Sequence, residues 1–441
     1  MKQIENKVTP RILSGFMELL PADQISFNKY LSIIRDTYEE FGFIPQETPL
    51  IEAAEILMSK SGGDTEKQIY EFMKGDERLA LRFDLTVPLA RYVAQYYPQL
   101  VFPFRRYQIG KVYRGERAQK GRFREFYQCD IDIIGDGELS LVNDAEIPSV
   151  IYRLFRKLDI GDFVIKINNR KILSGFIEAM GLEKEDEALR IIDKLEKIGN
   201  EEVIRELVNL GLKEEDAAKL IELISISGSN EEILIKLQEL DINVEKFGEG
   251  VRELIEVVKM AYKFGVPEES LQIDLSIARG LGYYTGTVYE TKMKNEEISG
   301  SVCSGGRYDN LAENFTDRKL PGVGISIGLT RLFSQLKSAG LIKEESVSVS
   351  RVAVVPMEGA RMDFSLNAAR LLREAGIKTE IYTEDTKLKK KLSYVNKLGI
   401  PYLVLVGEDE ERQGKVSLKK MQTGEQWLMT VEEVISMIIN K

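Results

Sequence analysis

The 441-residue chain contains no histidine. That absence excludes Ser-His-Asp and Cys-His nucleophilic machinery, and any proton shuttle built on imidazole. Cysteine is nearly missing too. Cys129 and Cys303 cannot build a disulfide framework, which suits a reducing compartment. A closed structural zinc site would need carboxylates in unusual number. No apolar run approaches the roughly 20 residues that span a bilayer, so no membrane association is expected. The start, MKQIENKVTPRI, lacks the apolar centre of a secretory leader, and the expected location is the cytoplasm. There is no GxxxxGK[ST] loop and no GxGxxG between strand and helix, so P-loop and Rossmann nucleotide sites are excluded. Chemistry is left to carboxylates, arginine, lysine, tyrosine, backbone groups and a bound Mg2+. Phosphoryl and acyl transfer by charge stabilisation suit that toolkit.

The net charge is −10, which by itself speaks against a nucleic-acid partner. Its distribution softens the point. Residues 183–259 hold 21 acidic against 11 basic residues, whereas 351–441 hold 13 against 15. The acidity sits in one middle segment and leaves basic surface elsewhere.

This length predicts two or three domains. Phe27, Leu31, Ile34, Tyr38 and Phe41 recur at helical spacing and predict a helix over 24–42. A turn at Gly42 then leads to a strand ending at Pro49. Short strands among charged loops, as in QLVFPFRRYQIGKVYRGE, predict an antiparallel sheet up to about 135. Residues 1–182 form the first part of a core, and 183–260 a helical insertion with Gly199, Gly211 and Gly228 as helix stops. LQIDLSI, TVYETKM and VGISIGL return to strands within a second core part, 261–337. Residues 338–350 read as a linker. In 351–441, RVAVVPM, a helix Asp363–Ala375, KTEIY, a helix Lys387–Leu398 and PYLVLVG alternate as β-α-β-α-β. That predicts a small α/β domain with a mostly parallel sheet.

One stretch is rich in arginine. YRGERAQKGRFREFYQCDIDIIG (113–135) sets Arg114, Arg117, Arg122 and Arg124 among Glu116, Glu125, Asp130 and Asp132. A hairpin with ERAQKG as its turn would point Arg114 and Gln128 into one pocket, where a guanidinium fork pairs with phosphate or carboxylate. By composition alone a solvated charged hairpin is the plainer account.

The same stretch resembles motif 2 of class II aminoacyl-tRNA synthetases, and its ending, REFYQCDIDI, resembles the form found in the histidyl-tRNA synthetase family. ALRFDLTVPLARY (80–92) is similar to that family's substrate loop, and ARGLGYYTGTVYE (278–290) to its second histidine signature. SGGRYDNL (304–311) and GVGISIGLTRLF (322–333) resemble the approach to motif 3 and motif 3 itself. ETPLIE (47–52) resembles the end of motif 1, and AGIKTEIY and KLGIPYLVLVGEDE resemble the family's anticodon-binding domain. The likeness runs in family order over nearly the whole chain.

The resemblance implies an α+β fold: a class II antiparallel sheet flanked by helices, a helical insertion and a C-terminal α/β anticodon-binding domain. It implies that histidine and ATP form histidyl-adenylate, and that the histidyl group passes to the 3′ end of tRNA-His. Arg114 and Arg279 would stabilise charge between the α-phosphate and the amino-acid carboxylate. Glu116 would serve the adenine end or a Mg2+, Phe123 would stack on adenine, and Arg331 would hold the γ-phosphate. Asp84 and Thr86 would take the α-ammonium, and Gln128 would lie between ammonium and carboxylate. Asp132 and Tyr284, helped by Tyr283, would hold the imidazole. Arg117 and Gln119 would reach the tRNA acceptor end, and Lys387, Lys389, Lys390 and Lys391 would meet phosphates near the anticodon. The helix and strand at 24–51 would pack in a homodimer. Simpler accounts stand beside these: Asp84 and Thr86 as a turn cap before Pro88, the tyrosines as core aromatics, and Gly305 and Gly306 as a tight turn or bulge. The family's usual RGLDYY has Gly282 here in place of Asp. The competing function is a synthetase-like regulatory paralogue of ATP phosphoribosyltransferase. Arg114, Arg279, Arg331 and the C-terminal domain weigh against it.

Overall fold

The computed structural model describes residues 8–59, 66–117, 121–277, 284–310, 312–342 and 347–440. It divides into a larger unit, 31–342 with the segment before residue 19, and a smaller unit, 347–440 with residues 19–30. Among the described residues no helix is long and apolar enough to cross a membrane.

Eleven strands belong to the larger unit: β1 Ile44–Pro45, β2 Ile51–Ala53, β3 Glu71–Lys74, β4 Glu77–Leu81, β5 Phe104–Tyr113, β6 Glu125–Ile134, β7 Phe163–Asn169, β8 Leu271–Ile273, β9 Thr287–Met293, β10 Ser301–Tyr308 and β11 Gly322–Gly328. β2, β4 and β3 make a small antiparallel sheet. The other eight are ordered β1-β5-β6-β11-β10-β9-β7-β8. The six central strands pair antiparallel, and the edge strands β1 and β8 run parallel to their neighbours. Strand alternation sorts the side chains. On β6, Cys129, Ile131 and Ile133 are fully buried on one face, where the Tyr38 hydroxyl donates to the Cys129 carbonyl at 2.9 Å. Gln128, Asp130 and Asp132 take the opposite face.

Several expected boundaries move. The first helix is Pro21–Glu40 rather than 24–42; proline at the first helical position loses no bond, because that N–H has no partner in the helix. The strand expected to end at Pro49 stops at Pro45. In LQIDLSI only Leu271–Ile273 is strand, because Asp274 Oδ1 accepts from Ser276 N at 3.0 Å and bends the chain. In the helical segment, Gly199 (φ +79) breaks Leu195–Leu210 internally and Gly211 (φ +122) caps it. Gly228 does not stop a helix. It precedes Ser229, the N-cap of Asn230–Glu239. The last helix, Glu245–Lys263, lies close against Arg170–Ala179: a Cβ on Gly175 would collide with the Phe247 backbone, and one on Gly250 would sit 2.8 Å from Ile172 N.

The smaller unit has β12 Val352–Pro356, β13 Thr379–Ile381, β14 Tyr402–Val406, β15 Val416–Lys420 and β16 Gln426–Met429, ordered β13-β12-β14-β15-β16. The expectation of a mostly parallel sheet needs correcting. β13, β12 and β14 are parallel, but β15 and β16 add an antiparallel hairpin, whose VSLKK and QWLM carry too little alternation to stand out in sequence. Val352, Val354, Leu372, Val404, Val434 and Ile438 fill one side of this sheet, and Val355, Val395, Ile400, Leu403 and Leu405 the other.

Candidate active site

The β5–β6 register sets Gly110 opposite Gln128 and Arg106 opposite Asp132. The ladder continues one step further, with Arg114 N donating to Arg124 O at 2.9 Å. Arg114 thus leaves the end of β5 on the face that carries Gln128. Its guanidinium carbon lies 4.5 Å from the Phe83 ring centroid and 5.1 Å from that of Phe126, and Nε donates to Phe83 O at 3.3 Å. Two rings and a carbonyl fix the plane of the fork.

Phe83 leads into Asp84, which is buried. Its Oδ1 accepts from Thr86 N at 3.2 Å and Val87 N at 3.0 Å, so the turn-cap account of Asp84 holds at the head of helix Thr86–Tyr96. Burial raises the Asp84 pKa, while the Val87 amide and the charge of Arg114 draw it back. Thr86 opens the helix half-buried.

Asp132 is held from two sides. Arg106 Nη2 lies 2.7 Å from its Oδ2, and the Tyr308 hydroxyl donates to Oδ1 at 2.6 Å. Arg106 is completely buried and also donates to Leu85 O at 3.2 Å. Burial raises the Asp132 pKa; Arg106 and Tyr308 pull it down. Opposite Asp132 on β11 stands Gly324, where a Cβ would collide with the Asp132 carboxylate. Gly306 makes the matching space on β10: a Cβ there would sit 3.0 Å from Tyr284 Cδ1. Tyr284 packs on a cluster that includes Tyr308, Leu89 and Phe104, which meets the core-aromatic account, and Tyr308 in turn bonds Asp132. Arg106 and Tyr308 were not singled out from sequence, although RRYQ and GGRYD contain them.

At the other end of β6 the geometry is looser. Glu116 Oε2 receives Arg122 Nη1 at 3.2 Å, and its backbone oxygen receives Arg124 Nε at 2.9 Å. Phe123 is half-buried and Arg117 exposed. Arg331 lies in the first turn of helix Leu329–Ser338 and donates to Ser299 O at 2.9 Å. The preceding Thr330 hydroxyl accepts from Tyr127 N at 2.8 Å, tying the helix start to β6. Arg279, Gly282, Tyr283 and Gln119 lie outside the described residues. Cys129 and Cys303 are buried and their thiol pKa values raised, first by burial, as befits inert packing residues. In the smaller unit Lys391 departs from expectation. It is buried, with Nζ donating to Pro356 O at 2.8 Å, and is removed from the phosphate-binding set. Lys387, Lys389 and Lys390 are exposed.

A six-stranded antiparallel sheet, an arginine-bearing hairpin on it and a helix leaving a glycine-rich strand make the class II aminoacyl-tRNA synthetase architecture. The family described as Histidyl-tRNA synthetase matches residues 15–332, and the one described as Anticodon binding domain matches 351–441. A Clostridium tetani histidine–tRNA ligase is 58% identical over 433 residues, covering 98% of this chain and 99% of its own. The crystal structure of histidyl-tRNA synthetase from Nostoc sp. PCC 7120 superposes with a TM-score of 0.90 at 42% identity, covering 98% of this chain and all of that one. A Bacillus halodurans structure described as an ATP phosphoribosyltransferase regulatory subunit/histidyl-tRNA synthetase shares the fold at TM-score 0.74 and 21% identity, covering 88% of this chain and 97% of its own. The chain belongs to the histidyl-tRNA synthetase family.

Proposed function

We propose that this chain activates histidine with ATP and transfers the histidyl group to the 3′ end of tRNA-His, releasing pyrophosphate and then AMP. The observation that supports the reading is that Arg114, Gln128 and Asp132 share one face of the β5–β6 hairpin, with the charge of Arg114 acting on Asp84 and Tyr284 packed on the cluster that holds Tyr308, the partner of Asp132. An oxygen of the histidine carboxylate attacks the α-phosphorus, the bond to the β-phosphate oxygen breaks, and pyrophosphate leaves. The attacking group is already ionised, so no protein base is required, which accords with a chain free of histidine. Arg114, packed on the Phe83 and Phe126 rings, and Arg279 would stabilise the charge that builds between carboxylate and phosphate. A terminal ribose hydroxyl of the tRNA then attacks the adenylate carbonyl and expels AMP.

Asp84 with Thr86 would receive the α-ammonium, and Gln128 would stand between ammonium and carboxylate. Asp132, with Tyr284 and Tyr283, would hold the imidazole. A buried carboxylate beside phenols disfavours apolar analogues, which would leave those polar groups unpaired. Phe123 would stack on adenine, Arg331 would meet the γ-phosphate, and Arg117 and Gln119 the tRNA acceptor end. Mg2+ keeps most of its water and needs only one or two carboxylates beside phosphate oxygens. Glu116, half-buried near the motif 2 turn, suits that mode, and the cation would screen the phosphates. The active form is a cytoplasmic homodimer joined through the 24–51 region; an active monomer in sedimentation at micromolar concentration would contradict that assembly. The central test is Mg2+-dependent ATP–pyrophosphate exchange with each amino acid in turn. Exchange with histidine alone is expected. No exchange with any amino acid would favour the regulatory paralogue.

A further inference from the structure

Asp130 has no task in the mechanism above, although it lies between Gln128 and Asp132 on the same face of β6. It is 2% exposed, and its cross-strand partner on β11 is Ser326. The Ser326 oxygen accepts from Gln128 Nε2 at 2.6 Å. Gly328, opposite Gln128, leaves that side chain room to lean across. The Ser326 hydroxyl stands directly across from Asp130 on the same face, and its nearness favours the ionised carboxylate. A hydroxyl has one proton. When it is given to the Asp130 carboxylate, Ser326 can only accept from Gln128, and the carboxamide is fixed with its NH2 group toward Ser326. Gln128 Oε1 then faces away from Ser326, buried and without a partner among the described residues, as is Asp130 Oδ1. Buried acceptors are seldom left unpaired unless something else occupies them.

We infer that Asp130, acting through Ser326, holds the Gln128 carboxamide with its oxygen toward the amino-acid pocket, and that Asp130 and Ser326 are positioning residues for the substrate α-ammonium. The inference rests on the reading of Gln128 as an amino-acid ligand.

The relay depends on the charge of Asp130. Arg106 on β5, Asp132 on β6 and Asp84 from the loop before Thr86–Tyr96 act on it from its own side, and Cys129, Cys303 on β10 and Tyr38 on the first helix interact with its charge from the opposite face of the sheet. Burial pushes its pKa up, Arg106 draws it down, and the balance is about 7. Below that pH the carboxyl carries its own proton and can donate it to Ser326. The Ser326 proton is then released toward Gln128, and the carboxamide loses its fixed sense.

The test is the KM for histidine in pyrophosphate exchange from pH 6 to 8.5, with Ser326→Ala, Ser326→Thr, Asp130→Asn and Gln128→Ala. At pH 8 Ser326→Ala and Asp130→Asn should each raise the histidine KM about tenfold, the loss of one hydrogen bond to a charged group. Turnover and the ATP KM should stay within about twofold. Ser326→Thr, which keeps the hydroxyl, should restore the wild-type value. The KM ratio of Asp130→Asn to wild type should approach one below pH 7. Imidazolepropionate, which lacks the ammonium, should inhibit wild type and Ser326→Ala equally. If Gln128→Ala raises the histidine KM while Ser326→Ala and Asp130→Asn do not, the relay is wrong and the ligand role of Gln128 stands. A loss of imidazolepropionate binding equal to that of histidine would also overturn the relay. If Gln128→Ala itself leaves the histidine KM unchanged, the ligand role falls and the relay with it.

Discussion

Tyr308→Phe removes one oxygen from the centre of the pocket and little else. The ring stays packed among Leu89, Phe104, Ile134 and Leu320, so no cavity larger than a hydroxyl opens and the packing loss is small. What disappears is the 2.6 Å bond to Asp132 Oδ1, a hydrogen bond to a charged group worth about 1.5–3 kcal/mol. The Asp132 pKa, already raised by burial, should climb further once the hydroxyl that favours its charged form is gone. The folded protein holds this proton more tightly than the unfolded chain. The corresponding stability is complete at low pH and is lost as pH rises through the folded pKa. The variant carries that loss to higher pH, so its destabilisation relative to wild type should be larger at pH 8 than at pH 5. Chemical denaturation at the two pH values measures this, and the histidine KM in pyrophosphate exchange should rise about tenfold or more at pH 8. Equal destabilisation at both pH values together with an unchanged histidine KM would refute the coupling of Tyr308 to a charged Asp132.

Other perturbations follow from single contacts. Arg114→Lys keeps the charge but loses the planar group between Phe83 and Phe126; turnover in pyrophosphate exchange should fall roughly 10²–10³-fold, and full turnover would remove Arg114 from the chemical step. Gly324→Ala forces a methyl against the Asp132 carboxylate, with about 1–3 kcal/mol of destabilisation expected by thermal denaturation; a wild-type melting curve would show that the sheet gives way more easily than the geometry implies. Lys389 and Lys390 should each flatten the salt dependence of tRNA binding by about one unit when changed to alanine. Lys391→Ala should lower the melting temperature instead, because its ammonium is tied to Pro356 O; a reduced salt slope for Lys391→Ala would contradict its burial.

The shared face of Gln128 and Asp132 was legible in sequence, where a single residue type at a known parity was enough. Gln128 and Asp132 are four apart on a strand, so they had to share a face once EFYQCDIDII was read as β. Arg106 was not legible. It sits beside Arg105, and only the hairpin register, Gly110 against Gln128, decides that Arg106 turns toward Asp132. Arg105 takes the other face, 4.6 Å from the Phe43 ring centroid. Ser326 was hidden for a different reason. In GVGISIG it looks like another small residue that lets strands pack, and its role needs β6 beside β11, a pairing between segments nearly 200 residues apart. Lys391 shows the reverse error: four lysines in KLKKK look alike in sequence, but a helix turning every 3.6 residues carries one of them inward.

A sequence without histidine has a consequence for how the chain itself is made. Translation of this protein consumes no histidine, so ribosomes on its message do not wait for histidyl-tRNA. When histidine falls, its synthesis should continue while that of histidine-containing proteins stalls. The test compares the wild-type chain with a variant carrying Lys213→His, Glu215→His and Glu231→His in the source cell under histidine limitation. These positions are exposed on the helical segment and should each cost under about half a kcal/mol, so folding does not confound the result. Lys246 is unsuitable there, since its ammonium pairs with Glu178 at 3.4 Å and Glu185 at 3.2 Å. Wild type should accumulate and the variant should lag, with equal levels once histidine is restored. Equal accumulation during limitation would mean that the missing histidines confer no advantage in translation and reflect only a chemistry that has no need of them.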